Sequence, residues 1–190
     1  KGYFCKLKSK KMKISRFLAA ILSIVITLTS SQFTSEAKRK KDDKAKYIFL
    51  FIGDGMGMGQ VSLTESYLSY KAGKLGGEQL SFTKFPYLAL CNTYSANRNI
   101  TCSAAAGTAI ACGEKTNNEY IGVDPDGKPL ESIAYVLHNQ GYNVGIMTTV
   151  PVNHATPAAC YGHDSSRYGY YAISQEIVSS GLEFSGGSGV

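Results

Sequence analysis

The sequence is poor in the features that mark membrane and nucleic-acid proteins. Its apolar run from Phe17 to Leu28 is roughly 12 residues, short of the ~20 a spanning helix needs, which argues against an uncleaved anchor. No basic face with interleaved aromatics appears. The formal charge of +6 lies in the leader: residues 1–37 hold seven Lys/Arg and one acid, Glu36, leaving thirteen of each sign afterwards. A nucleic-acid reader is therefore not expected. The cysteines lack zinc-knuckle spacing, and no lysine follows the glycine-rich stretch at residue 53 as a nucleotide-binding loop requires. No internal repeat or low-complexity linker breaks the chain.

The amino-terminal stretch reads as an export signal. Lys13 and Arg16 form its charged region, Phe17 to Leu28 its apolar run, and Ser35-Glu36-Ala37 a small-x-small cleavage site. Residues 12–37 are the expected signal peptide, and residues 1–11 read as upstream mistranslation or an extended charged region. Residues 38–45 form a charged, solvated arm, and 46–190 a single catalytic-domain portion. The expected location is periplasmic or secreted. Export would place Cys91, Cys102, Cys112 and Cys160 where disulfides persist, in any of three pairings. Cys112, among Ala and Ile, reads more simply as a small buried apolar residue.

Within 46–190 the pattern is α/β. Lys46 to Ile52 is a β-branched and aromatic run without polar alternation, the signature of a strand buried on both faces. It stops at Gly53-Asp54-Gly55, and helical spacing resumes from Met58 to about Lys71, followed by a loop around Gly73 to Gly77. Further on, Asp126-Gly127 signals a turn. Pro129 can open a helix with Leu130, Ile133, Ala134 and Leu137 on one face, Gly141 stands where a left-handed cap belongs, and Tyr142 to Thr149 reads as a second strand. In open α/β sheets ligands sit outside the carboxyl ends of the strands. Asp54 follows the first strand, and Thr148-Thr149 and Val152 to Thr156 end the second, so both loops are expected to face one crevice.

Three groups of residues suggest chemistry. The glycines around Asp54 strip away side chains, leaving a carboxylate free to ligate a cation; it could equally shape a turn. Ser103 opens the small-residue run Ser103-Ala-Ala-Ala-Gly107. A helix starting there aims the serine and the free amides of its first turn at one point, which suits an anion, although a serine cap alone would look the same. His154, Thr156, His163 and Arg167 share one segment, mixing metal-ligand types with a guanidinium able to grip phosphate bidentately.

Taken together, Phe51-Ile-Gly-Asp-Gly-Met-Gly57, Ser103-Ala-Ala-Ala-Gly-Thr-Ala109, Cys112-Gly113, Thr148-Thr149 with His154-Ala-Thr-Pro-Ala158, and Tyr161-Gly-His163 leading to Arg167 resemble the alkaline phosphatase family in order. The resemblance implies an α/β fold with a mostly parallel central sheet flanked by helices, incomplete at the C-terminus. It implies a phosphoric monoester hydrolase with a phosphoserine intermediate on Ser103, two Zn2+ and one Mg2+. Asp54 would be the carboxylate shared by a zinc and the magnesium, Ser103 a zinc ligand as well as nucleophile, Thr156 and His154 ligands at the magnesium position, and Arg167 the phosphate clamp. Partners would be phosphomonoesters and inorganic phosphate, with homodimerisation at full length.

Two departures from the family pattern stand out. Cys102 occupies a place where members often carry Asp, so a partner for Arg167 is missing, and His154 makes the third metal position less purely oxygen-lined. A related sulfatase or phosphodiesterase is disfavoured, since Cys102-Ser-Ala-Ala-Ala is not the C/S-x-P-x-R run a sulfatase needs. The family's other zinc ligands lie far downstream, and three histidines form no replacement cluster. The expectation is therefore a truncated portion, inactive alone, with a phosphate- or metal-binding remnant as the alternative function.

Overall fold

A computed structural model describes residues 45–189. The expected signal peptide, the residues before it and nearly all of the charged arm lie outside the described residues. Two compact units meet in sequence between Phe51 and Ile52.

The first unit contributes residues 45–51. The strand expected from Lys46 to Ile52 is not formed: the segment has no regular secondary structure, and Tyr47, Phe49 and Phe51 are exposed. A strand exists through hydrogen bonds to a neighbouring strand, and the ladder among the described residues joins two other segments. Apolar composition alone does not supply that partner.

The second unit opens with helix α1, Met58–Lys71, where the spacing predicts it. The side chain of Gln60 reaches back to accept the amide of Gly57 at 3.0 Å, satisfying one of the orphan donors at the helix start. Helix α2, Ser103–Cys112, ends at Gly113 with φ +75°. Helix α3 is Ile133–Asn139, starting later than Pro129. Residues 129 and 130 are held instead by backbone pairing, Val123 bridging Pro129 and the Leu130 amide donating to Gly122 O at 2.8 Å. Ser132 then caps the helix, its Oγ accepting from the Tyr135 amide at 3.4 Å. Gly141 takes the left-handed conformation at φ +85°.

Strand β1 is Gly145–Pro151, three residues later than its sequence expectation, because the Tyr142 amide still bonds Leu137 O at the end of α3. Helices α4, Ala155–Ala158, and α5, Tyr170–Ser179, lead to β2, Phe184–Ser188. The strands pair in parallel, Gly145 opposite Phe184 and Met147 opposite Gly186, with an irregularity before Pro151 meets Ser188. A parallel pair joined through intervening helices is the α/β arrangement in partial form.

The core consists largely of small residues: Ala104, Ala111, Ala155, Ala158 and Ala159 gather around Ile121, Ile146, Tyr161 and Ile173. Such side chains let backbones approach. A Cβ on Gly107 would stand 3.1 Å from Ala159 Cβ and 3.5 Å from Thr156 Cα, so glycine sets the spacing between α2 and α4. The four described cysteines are free thiols. Cys112 and Cys160 pack against this core, and burial pushes the Cys112 thiol up to about 11, in keeping with an apolar role.

Candidate active site

Helix α2 begins at Ser103, with Cys102 in extended backbone as its N-cap. The turn before it is pinned by a residue that the sequence did not single out. Asn118 accepts the Cys102 amide at 3.1 Å and donates to Ile100 O at 3.0 Å, closing both sides of the approach to the serine. The next residue, Glu119, sits at φ +75°, an uncommon conformation for a side-chain-bearing residue. Its amide donates to Cys102 Sγ at 3.1 Å.

Arg167 reaches the serine directly: its Nη1 donates to Ser103 Oγ at 3.0 Å, across 64 residues of sequence. Both side chains are half-buried, so a ligand can reach them from solvent. The Cys102 thiol beside them feels opposing influences. Burial, the largest, raises its pKa, but the amides of Ala105, Glu119 and Ala104 and the Arg167 guanidinium together bring it below the ordinary thiol value. The surroundings of position 102 therefore favour negative charge.

A second pair joins two other loops. Thr156 Oγ1 donates to Asp54 Oδ2 at 2.8 Å, across 102 residues, so the two loops expected to share a crevice do meet. Gly107, one helical turn and about 6 Å along the axis from Ser103, is the point where α2 rests on the backbone of Thr156. The close helix crossing thus sets α2, which begins at Ser103, against the segment that carries Thr156.

The other two candidates fare differently. His154 precedes α4 as its N-cap residue and stacks on Tyr170, ring centroids 6.2 Å apart at 17°, two residues from Thr156. His163 faces acceptors with both ring nitrogens, Glu176 Oε2 at 2.9 Å and Leu130 O at 3.1 Å. That arrangement holds structure and leaves no nitrogen free for a ligand. Glu176 is the other functional candidate that the sequence left unmarked, as one acid on an ordinary helix.

The sequence model of the family described as alkaline phosphatase matches residues 45–184. The chain belongs to the alkaline phosphatase family. It is 35% identical over 173 residues to alkaline phosphatase 4 of Bacillus subtilis (strain 168), covering 86% of this chain and 36% of that protein. It is 34% identical to the human tissue-nonspecific alkaline phosphatase, over 73% of this chain and 29% of the relative. Among solved structures it is similar to the cold-active alkaline phosphatase of Shewanella sp., with TM-score 0.65 and 32% identity over 70% of this chain and 33% of that one. It is also similar to a variant of the TAB5 alkaline phosphatase with Mg bound in the M3 site, with TM-score 0.59 and 30% identity over 70% and 36% of the two chains. The chain thus spans about a third of the length of these relatives.

Proposed function

We propose that Ser103 is the nucleophile of a metal-dependent phosphomonoesterase, working within a protein of the relatives' length, and that Arg167 clamps the phosphoryl group. The observation that supports this reading is the 3.0 Å bond from Arg167 to the Ser103 oxygen, since a guanidinium is able to grip phosphate bidentately. A phosphoryl group bound there lies between the guanidinium and the first-turn amides of α2, both of which favour negative charge. Ser103 Oγ attacks phosphorus as the alcohol oxygen leaves, giving phosphoserine, and water then attacks phosphorus to release inorganic phosphate and restore the hydroxyl. Arg167 neutralises charge on the equatorial oxygens in both halves, which is most of what phosphoryl transfer asks of a protein.

Asp54 and Thr156 fit a magnesium ion. Both are hard oxygen donors of the kind magnesium takes, and their oxygens stand 2.8 Å apart. Asp54, Thr156 and His154 would hold the magnesium, and Asp54 and Ser103 would each give one ligand to zinc. When bound, the ions supply Lewis-acid polarisation and lower the pKa of the serine hydroxyl and of water. Periplasmic or secreted location follows from the leader as read in the sequence.

A second reading applies to the 190 residues by themselves. A catalytic zinc takes about three protein ligands. Asp54 and Ser103 alone fall short of that number, which is what supports phosphate or metal binding without turnover as the reading for these residues by themselves.

The test compares wild type with Ser103→Ala on p-nitrophenyl phosphate with zinc and magnesium, at the relatives' length and as the 190-residue chain. At full length the variant is expected to lose most activity with unchanged circular dichroism, since alanine resembles serine in size at a helix start already rich in Ala. Acid-quenched wild type should carry phosphate on the Ser103 peptide. Turnover within a few-fold of wild type in a folded variant removes Ser103 from the mechanism, and Ser103-dependent turnover by the 190 residues alone refutes the second reading.

A further inference from the structure

Arg167 lies on a loop, yet the chemistry proposed for it needs a fixed guanidinium. The segment just before Arg167 is tied by several hydrogen bonds. Ser132 Oγ donates to Cys160 O at 2.6 Å, Tyr135 Oη donates to Tyr161 O at 2.8 Å, and Tyr161 Oη donates to Val152 O at 2.8 Å. Asp164 exchanges two backbone hydrogen bonds with Ile121, at 2.8 and 2.9 Å. Between these ties stands His163, four residues before the arginine. Its main-chain amide donates to Glu176 Oε1 at 3.1 Å, its Nδ1 meets Glu176 Oε2 at 2.9 Å, its Nε2 meets Leu130 O, and its ring stacks on Tyr135 at 11°.

Glu176 thus commits both carboxylate oxygens to a single residue, one to its backbone and one to its ring. That fixes the direction of the chain at His163 as well as its position, which one hydrogen bond cannot do. We propose that Glu176, on α5, is a positioning residue for Arg167: by gripping His163 at two points it sets where the guanidinium stands at Ser103. The proposal rests on the reading of Arg167 as phosphate clamp. Removing the grip leaves Arg167 present and charged but distributed over more positions, so phosphate binding weakens while the nucleophile is untouched.

The experiment measures kcat and KM for p-nitrophenyl phosphate and Ki for inorganic phosphate in wild type, Glu176→Ala, Glu176→Gln, Arg167→Ala and the double variant Arg167→Ala/Glu176→Ala, with thermal unfolding of each. Glu176→Ala should raise KM and Ki about three- to tenfold and change kcat less than about twofold. Glu176→Gln should stay within about twofold of wild type, because its amide oxygen accepts the His163 amide and its NH2 donates to Nδ1 while Nε2–H donates to Leu130 O. Once Arg167 is Ala, the second substitution should leave Ki unchanged. If Glu176→Ala does not fold, Glu176→Asp, which withdraws the carboxylate by one methylene, carries the same comparison with and without Arg167.

A fall in kcat that tracks lost folded protein with Ki unmoved would show that Glu176 only holds the fold. A further rise of Ki in the Arg167→Ala background overturns the proposal equally. Active, phosphate-inhibited wild type with an immobile Ki in the Glu176 variants defeats this inference alone, whereas wild type that neither turns over nor binds phosphate defeats it together with the proposed function.

Discussion

Replacing Cys102 by Asp tests how the position beside Ser103 is tuned. The thiol stands at the N-cap of α2, receives the Glu119 amide and is biased toward its charged form by the amides of Ala105, Glu119 and Ala104 and by Arg167, against the larger opposing influence of burial. A carboxylate in that place answers the same donors more strongly. As an N-cap it is worth about 0.5–2 kcal/mol. For a domain of this size, about 1 kcal/mol moves the melting temperature by roughly 2–4 °C, so Cys102→Asp should melt detectably higher.

The second effect concerns Arg167, whose hydrogen bond among the described residues goes to Ser103. A carboxylate at 102 gives the guanidinium a partner that leaves its outer nitrogens for phosphate. The pair is half-exposed, so solvent limits its worth to about 0.2–1 kcal/mol, and Ki for inorganic phosphate should fall about 1.4- to fivefold. The assay is competitive inhibition of p-nitrophenyl phosphate hydrolysis, beside a melting curve. Cys102→Ala, which removes the acceptor without adding charge, should do neither. A raised melting temperature with unchanged Ki would leave the capping argument standing and refute the coupling to Arg167.

Two glycines make a matched pair for stability. Gly122, at φ +58°, would place a Cβ 2.0 Å from Gly162 O, whereas Gly113, at φ +75°, has open space around it; Gly122→Ala should cost about 2–5 kcal/mol and Gly113→Ala about 1–2 in urea unfolding, and equal costs would show that the contact relaxes freely. The cysteines predict an alkaline effect. The folded state holds the Cys112 thiol up to about 11 from 9.0, so the stability it contributes is complete below pH 9 and is lost as pH rises through about 11. Cys112→Ala should flatten part of that decline, the rest coming from Cys160 and Tyr161, whose burial also raises them. In native protein at neutral pH, Cys102 should alkylate before Cys112 and Cys160, and the reverse order would contradict the environments described for them.

What could be read from the sequence divides along physical lines. Helix α1, the start of α2 at Ser103 and the left-handed Gly141 are set by residues within a turn or two of one another, and each was legible. The segment Lys46 to Ile52 departs from its expected strand for the opposite reason, since an apolar run states what it would bury but not what it pairs with. Pro129 is a case of local preference overridden: its ring suits a helix start, but the pairing with Val123 takes the residue first and leaves Ser132 to begin the helix.

The site shows the same division more sharply. Ser103, Arg167, Asp54 and Thr156 are residue types whose chemistry can be guessed singly, and their order along the chain resembles one family, yet nothing local brings them together. The contacts that join them in pairs span 64 and 102 residues, and the groups read above as their supports have no chemical signature: a hydrogen in place of a side chain at Gly107, an amide at Asn118 and, as proposed, an acid at Glu176. Such residues escape sequence reading because many sequences carry Gly, Asn and Glu for other reasons. Their meaning comes from what stands opposite: Ala159 and Thr156 for Gly107, the Ile100–Cys102 turn for Asn118, and His163 for Glu176. The groups proposed to react can therefore be chosen by chemistry, whereas their supports are chosen by distance, and substitution of a support should alter binding geometry before it alters the chemical step.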